Sequence, residues 1–212
     1  DQGGGFYAVL ADGLGSGVKA NILSTLTSKI IATMMAEGAK LTECVETIAS
    51  TLPKCSERGL AYSTFTIVKV KPDGWIYTAE FDNPLIIYFR DGKLMELARE
   101  VVEIDGKIIY TSSFQAQVDD MLVMFSDGVV HAGVGSLLDL GWQYDNIVKY
   151  AEEAMEKDIS PRVMAKKMVS TVNTLYMNKP GDDSTVCAIR FREGRAATVM
   201  VGPPAKKEMD AT

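Results

Sequence analysis

The sequence predicts an α+β fold, because its helical and extended patterns fall into separate blocks along the chain. Apolar residues recur at helical spacing in residues 18–52 and 145–176, and they alternate with polar residues between 62 and 125. Asp-Gly dipeptides inside the extended block are typical of hairpin turns and indicate antiparallel strands. These dipeptides stand at 73–74, 91–92 and 105–106. The element order therefore favours helix-sheet-sheet-helix layers.

The first elements are a strand and two helices. An apolar run predicts a buried strand over residues 6–11. A helix follows, with a core-facing row at i+4 spacing and Gly38 as its C-cap. That row consists of Val18, Ile22, Leu26, Ile30 and Met34, with Leu23, Ile31 and Met35 beside it. A second helix is expected from a Thr42 cap to Leu52, ahead of Pro53.

The middle and last elements follow from the same signals. Residues 62–125 are predicted to form an antiparallel meander of about five or six strands. A helix capped by Asp145 comes next, and another begins with Ser160 as N-cap and Pro161 at the first helical position. Further strands are expected at 185–191 and 197–201. One domain is therefore expected over residues 1–202, with a loose tail over 203–212.

Composition excludes several classes of protein. The 212 residues carry 22 basic and 28 acidic side chains, a net charge of −6, without the basic stripe that nucleic-acid binding requires. The apolar stretches are far shorter than the ~20 residues of a spanning helix, so we expect no membrane segment in this chain. The three cysteines have no paired spacing, which argues against a disulfide framework or a zinc site. We expect a cytoplasmic location.

Acidic residues follow or interrupt apolar strands at three places, each beside a small residue. They are Asp12, Asp127 and the pair Asp182 and Asp183. A strand end holds a carboxylate rigidly, and a neighbouring glycine lets the backbone approach a ligand. Converging carboxylates repel one another, and a hard divalent cation is the usual compensation. Asp-Gly is also a common turn dipeptide, so a purely structural turn is the competing interpretation at each place.

A glycine-rich segment precedes the first helix. Gly13, Gly15 and Gly17 lead into a helix N-terminus, which is a place where phosphate can bind. The spacing matches neither the dinucleotide fingerprint nor the P-loop, since Lys19 is followed by Ala20. A tight strand-to-helix turn is the better explanation of the glycines, and nucleotide binding is a disfavoured alternative.

Three segments together resemble the ordered motifs of the metal-dependent (type 2C) serine/threonine phosphatases, and in particular the bacterial stage II sporulation protein E branch. They are Ala11-Asp12-Gly13-Leu14-Gly15-Ser16-Gly17, Phe125-Ser126-Asp127-Gly128 and Gly181-Asp182-Asp183-Ser184-Thr185. The resemblance covers nearly the whole chain. It implies a four-layer α-β-β-α sandwich, in which helix pairs flank a central antiparallel β-sandwich.

The resemblance also implies a site for two or more Mn²⁺ or Mg²⁺ ions. Asp12 would bridge two metals, and Gly13 would offer its backbone carbonyl. Asp127 and Asp182 would hold one metal from the other side, while Asp183 would either support these ligands or join an additional metal. Asp12, Asp127 and Asp182 are the implied catalytic residues, and a metal-bridging hydroxide would attack the phosphorus.

The implied substrate is phosphoserine or phosphothreonine on a small regulatory protein of the anti-anti-sigma type, and the sequence is also compatible with a homodimer. The family's first motif, a Gly-Asp one strand earlier, is absent and would lie upstream of Asp1. This gap motivates an alternative, a non-catalytic pseudophosphatase that binds a phosphoprotein. His131, four positions after Asp127, is either a proton donor near the site or, as we favour, an ordinary surface histidine.

Overall fold

The computed structural model describes residues 5–13, 18–51, 63–155, 159–179, 181–192 and 195–201. In chain order the elements are β1 (Phe6–Gly13), α1 (Val18–Ala36), α2 (Leu41–Thr51), β2 (Ser63–Val70), β3 (Trp75–Phe81), β4 (Ile87–Arg90), β5 (Lys93–Met95), β6 (Glu100–Ile104), β7 (Lys107–Gln115), β8 (Met121–Phe125), α3 (Asp127–Val130), α4 (Tyr144–Ala154), α5 (Pro161–Leu175), β9 (Val186–Arg192) and β10 (Arg195–Val201). The α+β class is confirmed.

The chain divides into two compact units. Unit 1 comprises Asp1–Asn83 and Leu97–Ala116, and unit 2 comprises Pro84–Glu96 and Gln117–Thr212. Each unit contains one five-stranded antiparallel sheet and a pair of longer helices packed against it. Pro53, the end of the predicted second helix at Leu52, and the predicted tail over 203–212 lie outside the described residues.

The sheet of unit 1 has the strand order β1-β2-β3-β7-β6. Helices α1 and α2 cover one face of it, and the buried side chains between them form the core of the unit. These side chains are Ile31, Met35, Cys44, Val45, Ile48, Ala49, Phe65, Ile67, Ala79, Phe81 and Ile109. Strand β1 is half-buried except at Leu10, so the prediction of a buried first strand is only partly correct.

The core-facing row predicted for α1 is wrong in its first half. Val18, Ile22 and Leu26 are 63%, 58% and 50% exposed. An i+4 step advances an α-helix by about 40° more than one full turn, so a long i+4 row winds away from a flat sheet. The buried positions are Ala20, Thr27, Ile31 and Met35, which include two of the three residues predicted beside the row.

The predicted helix boundaries were close to the observed ones. Helix α1 ends at Ala36, and Gly38 adopts a left-handed φ of 91°, which confirms its capping role. Helix α2 begins one residue before the predicted Thr42 cap, because Glu43 reaches back to accept a hydrogen bond from the Lys40 backbone N–H at 2.9 Å.

The sheet of unit 2 has the strand order β10-β9-β8-β4-β5, with α4 and α5 packed against it. The start of α5 is confirmed, since the Ser160 hydroxyl accepts a hydrogen bond from the Val163 N–H at 3.3 Å and Pro161 stands in the first turn. Helix α4 begins at Tyr144, so Asp145 lies in its first turn rather than at its cap. An acidic side chain is favourable at either position because of the helix dipole.

The single meander predicted over residues 62–125 is wrong. Its strands are shared between two sheets, with β2, β3, β6 and β7 in unit 1 and β4, β5 and β8 in unit 2. The three predicted hairpins are confirmed, and Asp91 and Asp105 both have a φ of 50°, as tight Asp-Gly hairpin turns require. Local alternation identifies strands and hairpins, but it contains no information on which hairpins pair with each other.

Within the described residues, no helix is both long enough and apolar enough to cross a membrane. Cys44 and Cys187 are buried and free. Cys55 lies outside the described residues.

Candidate metal centre

Asp12 lies near the end of β1 in unit 1, opposite Thr64 of β2. Its side chain is half-buried, and its Oδ1 accepts a hydrogen bond from the backbone N–H of Gly13 at 2.8 Å. The sheet therefore fixes the backbone of Asp12 on one side by strand pairing, while this short contact orients the carboxylate.

Gly13 is required by the contact between β1 and α1. A Cβ atom at Gly13 would lie 2.1 Å from the carbonyl oxygen of Ala20, in the first turn of the helix. Only glycine allows the helix to start so close to the strand end that bears Asp12. Leu14 to Gly17, the remainder of this motif, lie outside the described residues.

In unit 2, Asp127 is the first residue of the one-turn helix α3, with Ser126 at the N-cap position. The sequence predicted a carboxylate at a strand end, and the short helix was not predicted. The backbone carbonyl of Asp127 accepts a hydrogen bond from the His131 N–H at 2.9 Å. Asp127 is half-buried, and His131 is exposed.

The loop that bears Asp182 and Asp183 is packed directly against α3. A Cβ atom at Gly128 would lie 2.3 Å from the carbonyl oxygen of Asp183 and 3.0 Å from the Ser184 hydroxyl. Glycine at position 128 thus lets two acidic segments, separated by more than 50 residues in sequence, meet backbone to backbone.

Hydrogen bonds hold the two acidic segments in this contact. The Ser126 hydroxyl accepts a bond from the Thr185 N–H at 3.0 Å and donates one to the Asp183 carbonyl at 3.3 Å. The Ser126 N–H also donates to the Thr185 carbonyl at 3.0 Å. From α5, the Tyr176 hydroxyl donates to the Gly128 carbonyl at 3.1 Å. Four polar contacts therefore fix the backbones that carry Asp127 and Asp182.

The electrostatics of Asp182 reflect its acidic neighbours. Although the residue is exposed, partial burial of its carboxyl raises the pKa, and the nearby charges of Asp127 and Asp183 raise it further. A hydrogen bond from the Asp183 N–H, at 2.9 Å, and the imidazole of His131 act in the opposite direction. The three carboxylates thus share one region of negative potential.

This donor set fits a hard divalent cation. Carboxylate and carbonyl oxygens are the ligands that Mg²⁺ and Mn²⁺ prefer. A cation would offset both causes that raise the pKa of Asp182, its partial burial and the neighbouring negative charges. Among the described residues of each unit, no three His, Cys, Asp or Glu side chains already enclose a metal-sized space. The carboxylates of Asp127, Asp182 and Asp183 therefore share a region of negative potential without enclosing a metal-binding cavity.

Three residues of this region were not assigned a role from the sequence. Ser126 and Ser184 lie inside the acidic motifs, and the sequence signal available for them was a small hydroxyl side chain beside each acidic residue. In the structure both side chains lie where the two segments meet. Tyr176 falls at the end of the helical apolar pattern of residues 145–176 and is buried, and its hydroxyl also binds the Gly128 carbonyl. Periodicity reports which face is buried and does not report a polar partner.

The family model described as stage II sporulation protein E (SpoIIE) matches residues 2–192. The chain belongs to the stage II sporulation protein E family. The resemblance to this branch is thereby confirmed. No curated protein sequence matches the chain significantly.

Solved structures show the same fold. The PP2C phosphatase domain of SpoIIE from Bacillus subtilis, with a fragment of its regulatory domain, is 20% identical, has a TM-score of 0.71, and covers 89% of this chain and 54% of its own. The RsbU and RsbW domains of Rv1364c from Mycobacterium tuberculosis are 17% identical, with a TM-score of 0.63 and coverage of 92% and 53%. This chain thus spans about half the length of those two chains.

Other relatives are matched over most of their length. The SiaA-PP2C domain of Pseudomonas aeruginosa is 18% identical, with a TM-score of 0.63 and coverage of 89% of this chain and 81% of its own. The similar structures include a Mn-presoaked SpoIIE phosphatase domain from Bacillus subtilis and RsbX in complex with magnesium. The chain therefore has the fold of a PP2C-type phosphatase domain of the metal-dependent class.

Proposed function

We propose that the chain hydrolyses phosphoserine or phosphothreonine on a regulatory protein, with Mn²⁺ or Mg²⁺ as cofactor. The observation that carries this proposal is the backbone contact between Gly128 and Asp183, which holds the segments of Asp127 and Asp182 together. Family membership and the PP2C fold support the same assignment. The relatives studied with manganese and magnesium support the choice of metal.

Each acidic residue is assigned a role as a ligand. Asp127 and Asp182 would hold one ion from unit 2, and Asp183 would support them or join an additional ion. Asp12 and the Gly13 carbonyl would offer oxygen ligands from unit 1. When bound, a pair of divalent cations lowers the pKa of a water molecule and neutralises charge on the phosphoryl group.

The reaction assigned to this site is direct transfer of the phosphoryl group to water. Water forms a new bond to phosphorus, the bond to the serine oxygen breaks, and a proton restores the serine hydroxyl, so the products are free serine and phosphate. The described cysteines do not support a thiolate nucleophile, because burial raises the pKa of Cys44 and raises that of Cys187 to about 12. Their free state is also consistent with the cytoplasmic location we propose.

The substrate we propose is a small phosphorylated regulator of the anti-anti-sigma type. Support comes from the matched structures, which include a cell fate determinant and a protein with RsbU and RsbW domains. A pseudophosphatase that binds such a protein without hydrolysing it is the second candidate, since the described carboxylates do not form a closed metal cage. Saturable ATP binding would instead favour the nucleotide-binding alternative.

Hydrolysis and metal binding separate these candidates. Release of phosphate from the serine-phosphorylated regulator should require Mn²⁺, and Asp12→Ala and Asp127→Ala should each reduce the rate by about 100-fold or more. Asp145→Ala is the matched control, because it removes an exposed carboxylate of unit 2 outside both motifs. Full activity in both motif variants would refute the assignment. Phosphoprotein binding without calorimetric uptake of Mn²⁺ would favour the pseudophosphatase.

A further inference from the structure

A loop rich in exposed apolar side chains follows α3 in unit 2. We call residues 131–141 the apolar loop. Four of its side chains are large, apolar and exposed, and they occur within seven positions. They are Val134 at 47%, Leu137 at 55%, Leu138 at 36% and Leu140 at 73%. Single exposed apolar residues are ordinary on protein surfaces, whereas a concentration of them is typical of a binding site.

Hydrogen bonds hold the beginning and the middle of the apolar loop in place. The Val134 N–H donates to the His131 carbonyl, and the Leu138 N–H donates to the Gly133 carbonyl, both at 3.0 Å. The Ser136 hydroxyl donates to the Leu175 carbonyl at the end of α5, at 2.8 Å. These bonds fix the backbone, so the loop presents its apolar side chains in a defined arrangement.

The apolar loop is connected to both acidic segments through the chain. At one end the loop continues directly from α3, whose first residue is Asp127. At its middle it is bonded to the end of α5, from which the chain runs through Met177, 61% exposed, to Asp182. A partner that covers the loop therefore contacts the segment that directly follows the Asp127 helix in unit 2.

Charge limits what such a partner can be. The apolar loop contains one carboxylate, Asp139, and no lysine or arginine, so it offers apolar contact rather than ion pairs. Its neighbours are the acidic segments of Asp127 and Asp182, which attract an anion only when cations are bound. The complementary partner has an apolar face with a phosphoryl group at its edge.

We propose that the apolar loop is the docking surface for the folded phosphoprotein substrate, with Leu137 and Leu140 as its main contacts. This inference rests on the phosphatase activity proposed above. A small phosphoester lacks the extended apolar surface of a folded protein, so it does not cover several of these side chains at once. The loop therefore contributes to hydrolysis of the protein and contributes nothing to hydrolysis of a small ester.

The test is a double substitution, Leu137→Asp with Leu140→Asp, in the full chain. Both side chains are exposed, so folding should be retained. We expect kcat/KM for the serine-phosphorylated anti-anti-sigma-type regulator to fall by roughly 10- to 100-fold, mainly through KM. Hydrolysis of p-nitrophenyl phosphate with Mn²⁺ should stay within about twofold of wild type.

Two further variants make the result specific. Val163→Asp places the same charge at an exposed apolar position of unit 2, in the first turn of α5, and should leave both activities unchanged. Leu137→Lys with Leu140→Lys should weaken phosphoprotein hydrolysis as the aspartates do, because the loss is of apolar contact. A loss with aspartate and a gain with lysine would overturn the proposal in favour of a charge effect.

The remaining outcomes are also decisive. Unchanged kinetics of phosphoprotein hydrolysis in the aspartate variant would overturn the proposed docking surface. If wild type then sediments as a dimer and the aspartate variant as a monomer, the loop binds a second copy of the chain instead. If wild type releases no phosphate from the phosphoprotein with Mn²⁺, the proposed activity fails. In that case the docking surface is tested by calorimetric binding of the phosphoprotein. Binding that wild type retains and the aspartate variant loses would still support the docking surface, and equal binding by both would overturn it.

Discussion

Replacement of Gly128 by alanine tests whether the contact between the two acidic segments determines activity. The new Cβ would lie 2.3 Å from the Asp183 carbonyl oxygen and 3.0 Å from its carbonyl carbon. Non-bonded contacts are favourable near 3.5–4.0 Å, so the two backbones must separate by roughly 1 Å. Both crowded atoms belong to the backbone, and no rotation of a side chain relieves the contact.

The expected effect has a catalytic and a stability component. A displacement of about 1 Å at a catalytic site can reduce the rate by about 100-fold. Overpacking costs about 1–3 kcal/mol, and each kcal/mol lowers the Tm of a domain of this size by about 2–4 °C. Phosphate release with Mn²⁺ and calorimetric Mn²⁺ affinity would measure the first component, and thermal denaturation would measure the second.

Gly38→Ala is the matched control for this substitution. Gly38 has a φ of 91° and open space around its Cβ position, so alanine there introduces backbone strain without a steric contact. We expect a loss of stability of about 1 kcal/mol with activity unchanged. Wild-type Mn²⁺ affinity and wild-type turnover in Gly128→Ala would refute the reasoning.

Three further predictions concern other residues of unit 2. Tyr176→Phe removes the hydrogen bond to the Gly128 carbonyl and should lower the free energy of unfolding, measured by urea denaturation, by about 1 kcal/mol. An unchanged free energy of unfolding would contradict this prediction. Asp182 has a raised pKa in the folded state, so its ionisation destabilises the metal-free fold as pH rises above 3.8. Asp182→Asn should therefore raise the Tm of the metal-free protein at pH 7. The difference in Tm between the variant and wild type should become smaller as the pH falls towards 4. Asp120 is 1% exposed and paired with Arg90 at 2.9 Å, so Asp120→Ala should lower the free energy of unfolding by about 3 kcal/mol. Hydrolysis by the folded fraction should be unchanged.

The sequence predicted the elements that depend on local chemistry. Ser160 and Pro161 identified the start of α5, and the Asp-Gly turns at Asp91 and Asp105 identified hairpins, because each signal acts within a few residues. The α+β class followed from the same patterns. The family motifs identified Asp127 and Asp182, and the structure brings their segments together within unit 2.

Features that depend on distant residues were not predictable in this way. The i+4 row of α1 winds around the helix, and which part of it is buried is decided by packing against the sheet, so the exposure of Val18 and Ile22 is not contained in the periodic pattern. The division of strands between two sheets depends on pairings across the chain. The bond from the Thr185 N–H to the Ser126 hydroxyl and that from the Tyr176 hydroxyl to the Gly128 carbonyl join positions 48 or more residues apart.

The central claim is that the acidic segments support metal-dependent hydrolysis of a phosphoprotein. The most direct measurement is release of inorganic phosphate from a serine-phosphorylated anti-anti-sigma-type protein, with Mn²⁺ and with chelator, by wild type, Asp127→Asn and Asp145→Asn. The account predicts release by wild type and Asp145→Asn only when Mn²⁺ is present, and a loss of about 100-fold or more in Asp127→Asn. Equal release by Asp127→Asn and wild type, or release by wild type that is unaffected by chelator, would contradict it.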